Sequence, residues 1–239
     1  MSAMKPVLVF RHLACEGPGY LADVFKREHI PFEVIPLDEG AGVPESIDKA
    51  SGLVMMGGPM SVNDPLKWID QECELIRQAV HRNLPVIGHC LGGQLISKAL
   101  GGQITANPVK EIGWLAVEMW PDGRNTPWLR GLPARFEAFH WHGETFSLPP
   151  GATPLLRSEH CENQAFAYGS ALALQFHVEM TAAMVREWAQ VHGAEIAVPS
   201  ETVQSEAQLC ERLDARIAAL NQCADALYAP FLQRLRRLH

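Results

Sequence analysis

Residues 85–100 read PVIGHCLGGQLISKAL. Pro85–Gly88 is a short apolar run of the kind that forms a buried strand. Leu91–Leu100 has the spacing of a helix, closed by Gly101-Gly102. His89 and Cys90 fall at the turn between them, with Gly88 two positions before the cysteine and Gly92 two after it. A residue at such a turn is held in strained backbone geometry, and the glycines relieve the crowding. Its side chain stands at the C-terminal edge of the sheet, where open α/β sheets place their sites. A sulfur at a helix N-terminus also meets the positive end of the helix dipole, which favours the thiolate. Cys90 is therefore the expected nucleophile. Cysteines 15, 73, 161, 210 and 223 show no Cys-x-x-Cys pair or regular spacing. They are expected to be small buried hydrophobes in a reducing compartment.

Outward from this turn the same theme repeats. Val7–Phe10, Phe32–Leu37 and Gly52–Met56 read as strands, the last ending in Gly57-Gly58-Pro59. A helical stretch to Glu28 follows Gly17-Pro18-Gly19, and Trp68, Ile69, Cys73, Ile76 and Val80 recur at helical spacing. Strands alternating with helices predict an α/β fold: an open, mostly parallel, flavodoxin-like sheet flanked by helices. After residue 102 the texture changes. Trp114–Trp120, Arg135–Phe139, Thr153–Arg157, Ala165–Tyr168 and Ala171–Phe176 read as strands that add antiparallel pairings and a small accessory sheet. Thr181 is placed to cap a helix running to about His192. Val203, Ala207, Cys210, Leu213, Ile217 and Leu220 then mark one helix face. A second helix ends near Arg237, with Pro230 expected to kink or restart it. The expected division is a domain over 1–195 and a C-terminal helical extension over 196–239 packed on it.

The chain has 239 residues, 47% of them hydrophobic, which suffices for a sizeable core and excludes a small disulfide scaffold. The formal net charge of −7 argues against a nucleic-acid surface, which needs clustered Lys and Arg. Its densest basic run, Arg234 to Arg237, reads as a solvated helix end. No apolar run approaches the roughly 18 residues of a membrane span, and MSAMKPVLVFRH enters a strand without signal-peptide anatomy. A soluble, cytoplasmic protein is expected.

A thiolate nucleophile needs a proton shuttle, and the shuttle needs an acceptor to orient it. Gln175-Phe176-His177-Val178-Glu179 supplies both: His177 follows an apolar strand, and Glu179 can fix its tautomer. Oxyanion donors are also required. The Leu91 amide opens the helix, and the glycines at 57 and 58 let a backbone amide approach a carbonyl with no side chain between.

These residues resemble class I, triad-type glutamine amidotransferases. The motifs that carry the resemblance are Gly57-Gly58-Pro59, the G-x-C-x-G-x-Q elbow from Gly88 to Gln94, and His177-Val178-Glu179. They span residues 5 to about 185 in the family's order. Asn107-Pro108, Glu111–Trp114, Phe139–Glu144 and Asn163–Phe166 are similar to the stand-alone branch related to the amidotransferase domain of GMP synthase. The resemblance implies that Cys90 attacks the side-chain amide of glutamine or of another γ-glutamyl compound. It implies the Gly58 and Leu91 amides as the oxyanion hole, and His177 as acid and base oriented by Glu179. It further implies Gly57, Gln94, His142 and Glu144 as substrate-binding residues. Two residues depart from the pattern: His89 stands where an apolar residue is usual, and Val178 replaces the common proline. No acceptor domain or phosphate-binding loop is read in the remaining residues.

Three readings stay open: a γ-glutamyl hydrolase working alone, an amidotransferase subunit passing ammonia to a separate synthase partner, and a non-catalytic binding protein on the same fold. The absence of a fused acceptor favours the first. His140-x-His142, with His12 and His89 elsewhere, lacks a completing Cys or carboxylate and is not expected to hold a metal. Trp114, Trp120, Trp128 and Trp141 are expected in core and edge packing rather than as a base-stacking platform. No cofactor is expected.

Overall fold

The computed structural model describes residues 4–123 and 125–238; Met1–Ala3, where the N-terminal reading begins, lie outside them. The first half lays down β1 (Val7–Arg11), α1 (Gly19–Arg27), β2 (Phe32–Pro36), β3 (Gly52–Met55), α2 (Lys67–His81), β4 (Val86–His89) and α3 (Leu91–Ala99). The second half holds β5 (Ile104–Met119), β6 (Arg135–Phe146), β7 (Thr153–Arg157), β8 (Ala165–Tyr168) and β9 (Ala171–Leu174). Helices α4 (Ala182–Val191), α5 (Glu206–Cys210) and α6 (Leu213–Arg237) complete it.

The strands form one nine-stranded sheet in the order β2-β1-β3-β4-β9-β8-β7-β5-β6. Strands β2, β1, β3, β4 and β9 are parallel; every pairing beyond β9 is antiparallel. Alternate residues of the parallel strands serve opposite faces. Val7, Val9 and Val54 pack with α1, α4 and α6, while Leu8, Phe10 and Leu53 pack with α2 and α3. The chain moves from β1 outward to β2 and returns to β3 on β1's other side. The loops after β1 and β3 therefore flank the crevice where such sheets bind ligands.

The expected accessory sheet is not separate. Its residues belong to the long β5–β6 hairpin at the edge of the main sheet, so both strands start or end well beyond the expected bounds. The register slips between Ala106 and Glu111, around Pro108, which has no N–H to give to the ladder. That interruption, in a polar stretch without clean alternation, hid the first part of β5.

The single helix expected from Val203 to Leu220 also resolves differently. Val203 forms a bridge with Ile112, α5 is opened by a Ser205–Gln208 capping box, and the chain turns at Arg212, whose φ is +50°. Apolar spacing continues on both sides of that turn, so periodicity could not reveal it. Helix α6 then runs unbroken through Pro230. It packs by Leu220, Leu227, Tyr228, Phe231 and Leu235, all buried; Phe231 lies 6.2 Å, ring to ring, from Phe25 of α1. Thr181 caps α4 as expected, its side chain accepting from the Met184 amide. Among the described residues no helix is long and apolar enough to cross a membrane.

Candidate active site

Cys90 sits between β4 and α3 with φ +50° and ψ −108°, a conformation side chains rarely adopt and the surroundings must enforce. They do so by close packing. A methyl group on Gly88 would overlap the Gly92 carbonyl, one on Gly92 the Met55 carbonyl, and one on Gly93 the Leu174 carbonyl. The Cys90 amide donates to Leu174 O at 2.8 Å, tying the elbow to β9. Its sulfur, in a residue only 7% exposed, lies 3.7 Å from the Trp141 carbonyl and receives the Gln175 side-chain amide at 3.6 Å. Gln175 in turn accepts from Gln94 Nε2 at 3.3 Å.

His177 follows β9 by three residues, held by its amide's 2.8 Å bond to the Phe139 carbonyl. Because β9 runs parallel to β4, His177 and Cys90 emerge at the same sheet edge. His177 Nδ1 lies 2.7 Å from Glu179 Oε1. The ring stands edge-on to Trp188 at 4.9 Å, and Trp188 is anchored through its indole N–H to the Cys15 carbonyl at 2.9 Å. His177 Nε2 is buried and makes no hydrogen bond to the described residues. Burial opposes an imidazolium here, but the Glu179 carboxylate and the neighbouring Cys90 side chain overcome it and raise the ring well above its usual value. Burial likewise opposes ionised Glu179, yet the imidazoles of His89 and His177 hold its carboxyl down at about 2.

The Gly57–Gly58 loop is braced from behind. The His12 ring contacts the Gly57 carbonyl at 3.1 Å through Nδ1 and both Glu72 oxygens at 3.1 Å through Nε2. A side chain on Gly58 would press on Leu91 and His12, and one on Gly57 would overlap Glu16 and touch His177. The loop thus reaches the start of α3, where the Leu91 amide opens the helix.

A cleft of about 370 Å³ lies over the sulfur. Of the residues expected from the sequence, Cys90, Gly58, Gln94, His142 and Glu144 line it, whereas Gly57, Leu91, His177 and Glu179 are not among its lining residues. His142 spends both nitrogens within the protein, at 3.0 Å from the Glu144 carbonyl and 3.0 Å from Glu111 Oε2. Glu144 Oε1 accepts from the Ser61 hydroxyl at 3.0 Å. Burial opposes the charge on Glu111, but the hydrogen bond to His142 and its other partners hold the carboxyl at about 2.

Glu111, His142 and Cys161 are the one trio of possible metal ligands that clusters among the described residues, within 4.8 Å of one another. Their donors are already engaged: Glu111 also accepts from Ser158 and Gln164, and Cys161 contacts the Thr145 hydroxyl. His140 is fully buried, and burial lowers its ring to about 3.

The sequence reading missed several cleft residues. Glu16 is 6% exposed yet accepts no side-chain hydrogen bond from the described residues. Burial, opposed by His177 and His12, pushes its carboxyl up to about 7. Trp141, Trp188, His192 and Glu195 continue the wall beyond Cys90. Of these, Trp141 lies in the Phe139–Glu144 stretch quoted above, and Glu16 is a charged residue just before the Gly17-Pro18-Gly19 turn.

The class-I glutamine amidotransferase family matches residues 20–186. A putative glutamine amidotransferase-like protein, YfeJ, of Salmonella typhimurium is 34% identical over 66% of this chain and 69% of its own. Gamma-glutamyl peptidase 3 of Arabidopsis thaliana is 30% identical over 56% of each chain. A GMP synthase of Thermomicrobium roseum is 33% identical over 64% of this chain, which spans only 27% of that longer protein. In three dimensions, a glutamine amidotransferase from Methylobacillus flagellatus superposes with a TM-score of 0.92 at 44% identity. That match covers 97% of this chain and 96% of the other.

Proposed function

The chain belongs to the class I glutamine amidotransferase family, and from that premise we propose that it is a cysteine hydrolase cleaving the γ-glutamyl amide of glutamine or of a γ-glutamyl compound. The observation that carries this reading is the 2.7 Å contact between His177 Nδ1 and Glu179, which leaves Nε2 for the Cys90 side chain beside it.

In this mechanism the Cys90 thiolate attacks the amide carbonyl carbon, and the carbonyl electrons move to oxygen. The Gly58 and Leu91 amides stabilise that oxyanion. Collapse breaks the C–N bond while His177 gives its Nε2 proton to the departing amine, leaving a γ-glutamyl thioester. His177 then takes a proton from water as the water attacks, and glutamate leaves with the thiol restored. Glu179 orients the ring throughout. Gln175 donates to the sulfur, Gly57 admits the His177 ring edge, and Gln94, His142 and Glu144 shape the γ-glutamyl side of the cleft.

The wall formed by Trp141, Trp188, His192 and Glu195 beyond the sulfur supports a leaving group larger than ammonia, and so a self-sufficient hydrolase. Similarity to GMP synthase supports a second reading, a glutaminase subunit that hands ammonia to a separate synthase. The test is glutamate release from glutamine and a panel of γ-glutamyl dipeptides by wild type and Cys90→Ala. Fast Cys90-dependent turnover of a peptide supports the hydrolase, and slow turnover of glutamine alone supports the subunit. Full activity in Cys90→Ala rejects the site. A glutamine-like electrophile that fails to label Cys90 favours a non-catalytic binding protein.

A further inference from the structure

His89, the last residue of β4, is fully buried beside the Cys90 elbow. Its Nε2 lies 2.9 Å from the Tyr228 hydroxyl and 3.7 Å from Glu179 Oε2. That carboxylate oxygen makes no hydrogen bond to the described residues, while Oε1 is occupied by His177. A buried carboxylate that keeps its charge requires positive dipoles at both oxygens. His89 is the group placed to supply the second.

Burial lowers the His89 pKa, so the ring is neutral and carries one N–H. With that hydrogen on Nδ1, the Nε2 lone pair would face the Glu179 carboxylate. With it on Nε2, an N–H dipole points toward both the Tyr228 oxygen and Glu179 Oε2. The carboxylate, and an Nδ1 that makes no hydrogen bond to the described residues, favour the second tautomer. At 3.7 Å the contact is a dipole interaction rather than a hydrogen bond, and contacts of this kind shorten when substrate closes a site.

Tyr228 is held as firmly as the ring it meets. It is fully buried on α6 beside Leu227 and Phe231, its ring edge-on to His89 at 5.9 Å. One turn earlier, Asp225 receives the Tyr20 hydroxyl at 3.1 Å and Arg27 at 2.7 Å, clamping α6 to α1.

We propose that His89 and Tyr228 are positioning residues for Glu179, so that helix α6 holds the catalytic groups in register through a Tyr228–His89–Glu179–His177 chain. This rests on the function proposed above. The charged and titratable groups around the chain are His177 and Glu16 on the cleft side and Tyr20 and Asp225 on the helix side.

The test compares wild type with Tyr228→Phe, His89→Leu and His89→Gln. Removing the Tyr228 hydroxyl is expected to lower kcat about tenfold with KM nearly unchanged, and His89→Leu about a hundredfold. In His89→Leu the acid limb of the kcat/KM profile moves to higher pH, because Glu179 loses a dipole that favours its charge. His89→Gln, which keeps an N–H donor, recovers part of the loss. Wild-type kcat and acid limb in both Tyr228→Phe and His89→Leu would overturn the proposal, whatever happens to the melting temperature. If His89→Leu does not fold, Tyr228→Phe decides alone, since it removes a single oxygen. Imidazole 15N spectra give a readout independent of turnover. They should show His89 protonated on Nε2, and protonation on Nδ1 would defeat the proposal even in an active enzyme. If wild type shows no Cys90-dependent glutamate release, the parent reading fails instead, and the tautomer measurement still judges the chain.

Discussion

Glu72 of α2 faces His12 with both carboxylate oxygens 3.1 Å from Nε2, and the other ring nitrogen meets the Gly57 carbonyl at 3.1 Å. With an acceptor at each nitrogen, the ring is best satisfied as an imidazolium. Burial works against that charge, but Glu72 and the Gly57 carbonyl prevail and raise the His12 pKa. The pair fixes the orientation of the peptide that leads to Gly58. His12→Ala should therefore damage both function and stability. Loosening the proposed Gly58 oxyanion donor is expected to lower kcat about ten- to a hundredfold, below the effect of removing such a donor outright. Stranding Glu72 should cost about 3–5 kcal/mol. Glutamate-release kinetics and thermal unfolding of the same variant check both effects. Unchanged kcat would show that the loop holds its shape without the ring.

Removing the reacting groups separates their proposed roles. Cys90→Ala should abolish turnover with the fold intact. His177→Ala should reduce kcat by about three to four orders of magnitude, because it removes the acid and base of both half-reactions. Glu179→Gln should cost less, since it orients rather than reacts. Single-turnover thioester formation and steady-state rates measured side by side would establish that ranking.

The elbow tolerates no side chain at position 92. Gly92→Ala drives a methyl into the Met55 carbonyl of the neighbouring strand, and rigid backbone cannot yield as a flexible side chain would. The expected destabilisation is about 1–3 kcal/mol, the usual range for overpacking. Urea unfolding would measure it. Activity should fall as well, because any relief shifts Cys90 out of its strained turn.

Glu16 carries a pH signature. Burial is the main cause that lifts its carboxyl from 4.5 to about 7, with His177 and His12 opposing. The folded protein keeps that proton to higher pH than the unfolded chain does. The Glu16 contribution is therefore fully present below about pH 4.5 and is lost as pH rises to about 7, a change of about 3 kcal/mol. Glu16→Gln removes this pH dependence. The difference in unfolding free energy between wild type and Glu16→Gln should thus decline across that window and stay flat outside it. A constant difference would mean that Glu16 titrates normally.

Much of this was legible in one dimension because the relevant signals are local. The strand-turn-helix at 85–100, its glycines, and the His-x-Glu after an apolar strand are spacings within a few residues, and physical chemistry restricts what such spacings can build. The parallel half of the sheet followed from short apolar runs between helical patterns. Where the reading failed, local patterns were ambiguous. Pro108 interrupts β5 in a polar stretch, and the turn at Arg212 leaves the apolar spacing of the flanking segments in phase.

Contacts between distant segments outside those motifs could not be read. His89 was an anomaly beside the cysteine until α6 placed Tyr228 against it, 139 positions later. Glu16 was a charge in a turn until the sheet brought it to Gly57 and His177. The sequence alone determined the chemistry-bearing residue types and the turns that present them, because those depend on neighbours along the chain. Which buried polar groups face one another was decided only by the tertiary structure, because desolvation and hydrogen bonding act across space, where separation along the chain carries no information.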